Sequence, residues 1–185
     1  FEVNSMPDVE TLVYTNEPAL ILPVLEKELQ DFQTEAHRML NGEWEENQFI
    51  GFRLKQGVYG QRQPNVQMIR VKLPFGGVSA DQMDVFGEVA ERFAPLRKGH
   101  ITTRQNFQFH HVPLAKAAEA LFVLGKAGLS TREACGNTVR NVVACPLAGV
   151  SPDELFDVTP YAEAFTRHFL RHPLDLRERD ASVGV

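Results

Sequence analysis

Cysteine is scarce in this chain: only Cys135 and Cys145 occur among 185 residues, with nine residues between them. That spacing matches neither a disulfide-rich scaffold nor the close cysteine pairs of a zinc site, so free thiols are expected. No apolar run approaches the length needed to cross a bilayer, which argues against a membrane partner. The first residues, FEVNSMPDVETLVY, lack the basic-then-apolar order of a signal peptide, and a cytoplasmic location is expected. Internal repeats and low-complexity tracts are also missing. What is present, 43% hydrophobic and 23% charged residues, is an ordinary globular composition. The length suits one good domain, or one domain plus a piece of another.

The net charge of −5 hides a division. Residues 1–50 carry 2 basic against 11 acidic residues, residues 51–150 carry 13 against 6, and residues 151–185 carry 4 against 7. A basic centre on an acidic chain points to an anionic ligand, with solvated surface charge and a nucleic-acid partner as the other readings.

Leu22, Leu25, Leu29, Phe32, Ala36 and Leu40 recur at helical spacing before Gly42 and predict an amphipathic helix over 22–41 with an acidic outer face. In residues 49–66, FIGFRLKQGVYGQRQPNV, a short strand leads into a loop rich in Gly, Gln and Pro. Ile69, Val71 and Leu73 then alternate with Met68, Arg70 and Lys72, the mark of a strand with one cationic face. Ser79 and Gln82 form a capping-box pattern ahead of a helix with Met83, Phe86, Ala90 and Phe93 inward, ending near Pro95. Gly99–Val112 reads as one strand, with Ile101, Thr103, Gln105, Phe107 and Phe109 on one face and Thr102, Arg104, Asn106, Gln108 and His110 on the other. Residues 114–127 give another helix, closed by Gly128. A further strand is expected in NTVRNVVA, residues 137–144. Thr159 and Pro160 open a last helix striped by Tyr161, Phe165 and Phe169, and the tail from Pro173 has no pattern. The order β-α-β-α predicts an α+β, ferredoxin-like unit whose helices cover one face of an antiparallel sheet and leave the other free for ligand.

Arg70, Lys72, Arg104, His110 and Arg140 thereby fall on strand-like segments of one presumed sheet. Guanidinium forks bind carboxylates and oxyanions at two points, and few acidic residues lie near them in sequence, so an external anion is the expected partner. For any one of these arginines, a surface salt bridge is the plainer reading. His110 is open to three readings: haem axial ligand, proton donor or packed core residue. His111 falls on the apolar side and reads as structural, while His37, His168 and His172 sit on helices without ligand spacing. The GQRQPN loop could cradle phosphate through its backbone, but lacks the Gly and Lys spacing of a phosphate loop.

Three motifs, GVYGQRQPNVQMIRVKLPFGG, GHITTRQNFQFHHVPL and REACGNTVRNVVACPLAG, resemble in order and spacing those of the nitrite/sulfite reductase haemoprotein family. The resemblance runs from about Gly51 to Pro173 and covers the first part of such an enzyme. It implies sirohaem beside a [4Fe-4S] cluster, six-electron reduction of sulfite or nitrite, and an electron donor such as ferredoxin or a flavoprotein. By position in the motifs, Arg70 and Arg140 are expected to face the oxyanion and Arg104 to contact sirohaem carboxylates. His110 is expected against the haem, and a histidine there leans toward sulfite. Gln61, Arg62, Gln105 and Asn106 are expected to bond around the macrocycle. His100 stands where some relatives carry a further sirohaem-binding arginine.

The cluster needs four thiolates and this chain has two, so no metal ligand is expected within it. The resemblance implies an acidic helical extension over 1–48, the ferredoxin-like half-domain over 49–130, and the start of a truncated sirohaem-binding domain over 131–185. Alone, the chain is expected to be inactive and to self-associate or pair with a missing C-terminal half. The rival is a non-enzymatic ferredoxin-like module binding RNA or a polyanionic partner on its basic face, for which an exposed aromatic pair is lacking.

Overall fold

The computed structural model describes residues 18–169 apart from 133 and 137. Helices α1 (Pro18–Leu40) and α2 (Glu46–Lys55) precede strands β1 (Val58–Gly60) and β2 (Val66–Val71). A 3₁₀ turn at Pro74–Gly76 leads into α3 (Ala80–Phe93), β3 (Gly99–Ile101), β4 (Phe107–Pro113) and α4 (Leu114–Lys126), and α5 (Thr159–Phe169) follows after a long coil. Among the described residues, no helix is long and apolar enough to cross a membrane.

The four strands form one antiparallel sheet in the order β1-β2-β4-β3. Its two central strands, each followed by a helix, make the expected β-α-β-α pattern, and each carries a short outer arm as a hairpin. Ile69, Val71, Phe109 and Val112 point from the sheet into a core completed by Phe32 of α1, by Phe86, Val89 and Phe93 of α3, and by Leu121 and Leu124 of α4. The helices thus cover one face and Arg70 stands on the other, because neighbouring side chains on a strand alternate. The capping box of α3 is formed as predicted, with the Ser79 side chain accepting from the Gln82 amide at 3.2 Å.

The structure differs from the sequence pattern in several places. Residues 46–55 are helix rather than strand, because Phe49 packs among Phe32, Trp44 and Phe52; tertiary contact overrides a short apolar run that has no clear period. Met83 is 49% exposed and Val89 holds the core position, which places the stripe of α3 at Phe86, Val89, Ala90 and Phe93. Leu40 is exposed, and the side chains of Leu22 and Leu25 lie outside the described residues.

The single strand expected over 99–112 is a hairpin. At its tip, the Thr102 amide donates to Asn106 O at 2.8 Å, and Thr102 Oγ1 accepts from the amides of Arg104 and Asn106 at 3.3 and 3.1 Å. Gln105 takes φ 58° to close the turn. At Gly99, a Cβ would lie 1.9 Å from the Phe107 ring, so only glycine fits that approach. No strand forms over 138–144; this stretch is coil, tied to the 3₁₀ turn by the Phe75 amide donating to Val142 O at 2.9 Å.

A bulge falls where β2 steps from Gln67 to Ile69 while β4 steps from Val112 to Phe109. His111, at φ 61°, sits in that bulge half-buried, and Val112 takes the core place the sequence pattern gave to the histidine. On α5, Tyr161 and Phe165 are exposed and Thr166 is the buried residue. The side chains of His168 and Phe169, the tail from residue 170 with His172, and the segment 1–17 lie outside the described residues.

Candidate functional site

Four cationic side chains from separate stretches of the chain line one cavity of 340 Å³: Arg70 and Lys72 at the end of β2, Arg104 at the hairpin tip and Arg140 in the coil. Tyr59, Thr102, Asn106, Cys135 and Asn141 also line it, and among the described residues none of its lining is acidic.

Arg70 lies over the Tyr59 ring, with Cζ 5.2 Å from the centroid, and its Nη1 donates to Ala134 O at 3.2 Å. Its cross-strand partner is Gln108; with the amide oxygen turned toward the arginine, Gln108 accepts from Nε and Nη2, both at 2.7 Å. Lys72 is buried and its Nζ donates to Val139 O at 3.0 Å. Arg104 Nη2 donates to Asn141 O at 2.6 Å, while its Nε is buried with no hydrogen-bond partner. Arg140 is exposed at the cavity and makes no hydrogen bond or ion pair with the described residues.

Asn141 and Asn106 hold these parts together. Asn141 Nδ2 donates to Leu73 O at 2.6 Å and to Arg104 O at 3.0 Å, and Asn106 Oδ1 accepts from the Leu73 amide at 3.0 Å. Burial is the main cause that pushes the Cys135 thiol up to about 12, outweighing a hydrogen bond from Tyr59 and the charges of Arg70 and Lys72. It stays a neutral thiol at pH 7.

The remaining expected residues spread out. His110 shares the open face with Arg70 but does not line the arginine cavity; its ring stands 6.0 Å from that of His100. Gln61 Nε2 lies 3.5 Å from His110 Nδ1, and Gln61 Oε1 accepts from the His111 amide at 2.6 Å. Burial, followed by the neighbouring charges of His100, His111 and Arg70, holds His110 below the ordinary histidine range, so it is neutral at pH 7. Gln105 bonds the coil, with Nε2 donating to Ala144 O at 2.7 Å and Oε1 accepting from the Ala144 amide at 3.1 Å. Arg62 is exposed and lines a different cavity. Sequence reasoning missed Asn141 and Tyr59. Asn141 directly follows Arg140 in the TVRN motif, whereas nothing short of the β1–β2 register marks Tyr59.

A cavity walled by four cations and by no acid among the described residues, one of the cations with an orphaned buried Nε, fits a ligand carrying several carboxylates. The two thiols do not fit a four-thiolate cluster: Cys135 is buried, Cys145 is exposed, and no group of three or more His, Cys, Asp or Glu that could hold a metal occurs among the described residues.

An α+β unit with one helix-covered sheet face and one cationic face defines the class, and comparison with known proteins gives the particular family. Residues 59–126 match the nitrite/sulfite reductase ferredoxin-like half domain, and residues 135–176 match the nitrite and sulphite reductase 4Fe-4S domain. A sulfite reductase [ferredoxin] of Mycobacterium tuberculosis is 36% identical over 106 residues, 57% of this chain and 19% of that protein. A chloroplastic ferredoxin–nitrite reductase of Arabidopsis thaliana is 30% identical over 146 residues, 77% of this chain and 25% of that protein. The solved structure of Mycobacterium tuberculosis NirA protein superposes with a TM-score of 0.59 at 30% identity, covering 67% of this chain and 26% of that one. The chain belongs to the nitrite and sulfite reductase family and spans about a fifth to a quarter of the length of these relatives. Full-length enzymes of the family carry sirohaem and a [4Fe-4S] cluster.

Proposed function

We propose that this chain supplies the cationic wall of a sirohaem-dependent sulfite or nitrite reductase that reduces its oxyanion by six electrons. The observation that carries the reading is the convergence of Arg70, Lys72, Arg104 and Arg140 on one cavity. Sirohaem supplies the redox chemistry when bound. Arg104, with its unpartnered buried Nε, would hold macrocycle carboxylates, and Asn106 and Asn141 fix the hairpin tip that carries it. Arg140, free of internal partners, and Arg70, kept at the cavity by Gln108 and Tyr59, would face the oxyanion and stabilise charge developing as its bonds break. His110, neutral and next to Gln61, would contact the macrocycle without adding charge.

The cluster ligands would come from outside this chain, with ferredoxin or a flavoprotein as electron donor. By itself the chain would be inactive, and it would pair with the missing half or with itself. The boundaries 1–48, 49–130 and 131–185 and a cytoplasmic location go with this reading. This reading has no place for a nucleic-acid partner, which is supported by Phe109 being fully buried on the helix side and Phe107 stacking on Phe86, away from any base.

Two variants of a full-length enzyme carrying this segment test the assignment. Arg140→Ala should keep its sirohaem and lose about 10²–10³ in turnover, the effect of removing a preorganised donor. Arg104→Ala should lose sirohaem, because a carboxylate enclosed by protein would be left unpaired. Full haem content and full turnover in both would remove the cavity from the mechanism.

A further inference from the structure

A second cavity, of 410 Å³, lies at the other end of β2 and on the helix-covered side of the sheet, lined among others by Arg53, Arg62, Gln63, Asn65 and Gln67. Arg53 is 9% exposed, yet it forms no ion pair with the described residues. Its Nη1 donates to Gln67 Oε1 at 3.3 Å, and its Nε is buried without a partner. The guanidinium packs so closely on Gly60 that a Cβ there would lie 2.3 Å from Nη2, and Phe49 flanks it with Cζ 5.7 Å from the ring centroid. A charge buried this far is costly unless an anion meets it. Glu46, on the same cavity, acts on Arg53 as an opposite charge but makes no hydrogen bond or ion pair with it. Arg62 stands at the wall as an exposed second cation, with no hydrogen bond or ion pair among the described residues.

We propose that the Arg53 cavity is a second anion site, separate from the sirohaem wall, which takes a small oxyanion, phosphate or carboxylate, between the buried guanidinium of Arg53 and the exposed one of Arg62. The GQRQPN loop would serve this site with its side chains rather than through a phosphate-loop backbone, and Arg62 moves here from its expected place around the macrocycle. Glu46 works against binding by holding negative charge at the wall.

The test is a titration of the ¹⁵N-labelled full chain with inorganic phosphate and, separately, succinate, following the arginine Nε–Hε resonances. The Arg53 resonance, assigned through Arg53→Lys, should move and saturate, and the tighter of the two anions identifies the ligand's acidic group. Arg62→Gln should weaken binding about tenfold, as for loss of one charge-assisted contact, and Glu46→Gln should strengthen it. These two exposed positions decide the matter even if Arg53→Lys fails to fold. Shifts confined to Arg104 and Arg140 would overturn the proposal. So would a Glu46→Gln chain that unfolds at lower temperature and gains no affinity, since Glu46 would then be the counter-ion of Arg53.

Discussion

The helix-backed sheet and the coil that follows Lys126 are held by different physics. In the sheet, strand ladders fix the backbone and apolar side chains fill one core behind it. Beyond one bridge between Ser130 and Lys72, the described residues of the coil form no ladder. It is pinned by polar side chains reaching to its carbonyls: Arg70 to Ala134, Lys72 to Val139, Arg104 to Asn141 and Gln105 to Ala144. Three of those four residues also wall the cationic cavity. The cationic residues of the cavity thus double as the fastenings of its far side, so a substitution there changes shape as well as charge.

The contrast can be broken most strongly in the core. Phe109→Ala removes a fully buried ring at the centre of the sheet and should cost about 3–5 kcal/mol in urea unfolding. The whole chain should lose protection from hydrogen exchange. An effect confined to residues 134–145 would show that sheet and coil are not supported in the stated order.

Asn141→Ala removes donors to Leu73 O and Arg104 O and should cost about 1–3 kcal/mol. Faster exchange should stay within the coil and the hairpin tip, with the β2–β4 ladder unchanged. Equal loosening of the ladder would erase the distinction.

Cys135 sharpens the comparison through pH, because it is buried where coil meets sheet. Its thiol, raised in the fold from 9.0 to about 12, favours the protonated form in the native state. Its contribution is therefore whole below about pH 9 and is lost as pH rises toward 12, by about 1.4 kcal/mol per unit at most. Cys135→Ala should flatten that alkaline slope in thermal melts. An unchanged slope would mean the thiolate is tolerated beside Arg70 and Lys72.

Much of the sheet layer was legible because its signals are local. The alternation of Ile69, Val71 and Leu73, the Ser79–Gln82 capping box and the stop of α4 at Gly128 each follow from a period or a cap that a few neighbouring residues define. The errors arose where contacts distant in sequence decide. Alternation over 99–112 continues through TTRQN as if the strand did, but Thr102 folds that stretch into a turn with its own hydroxyl. Where a strand was expected, residues 138–144 are coil: the Val139, Asn141 and Ala144 carbonyls are taken by lysine, arginine and glutamine side chains, and Val142 O by the amide of Phe75 in the 3₁₀ turn.

The cationic residue types and their places in three ordered motifs are properties of the sequence, and they were enough to give the family. Which cations share a cavity was decided by the tertiary structure. Arg104 reaches the site from a hairpin tip and Arg140 from a coil, and each meets β2 only through bonds spanning more than 30 residues. Arg62, in the same motif as Arg70, lines a different cavity altogether. A side chain's chemistry is fixed by its own atoms and its face by its neighbours on the strand, whereas the company it keeps depends on turns, bulges and long-range hydrogen bonds that no local period encodes.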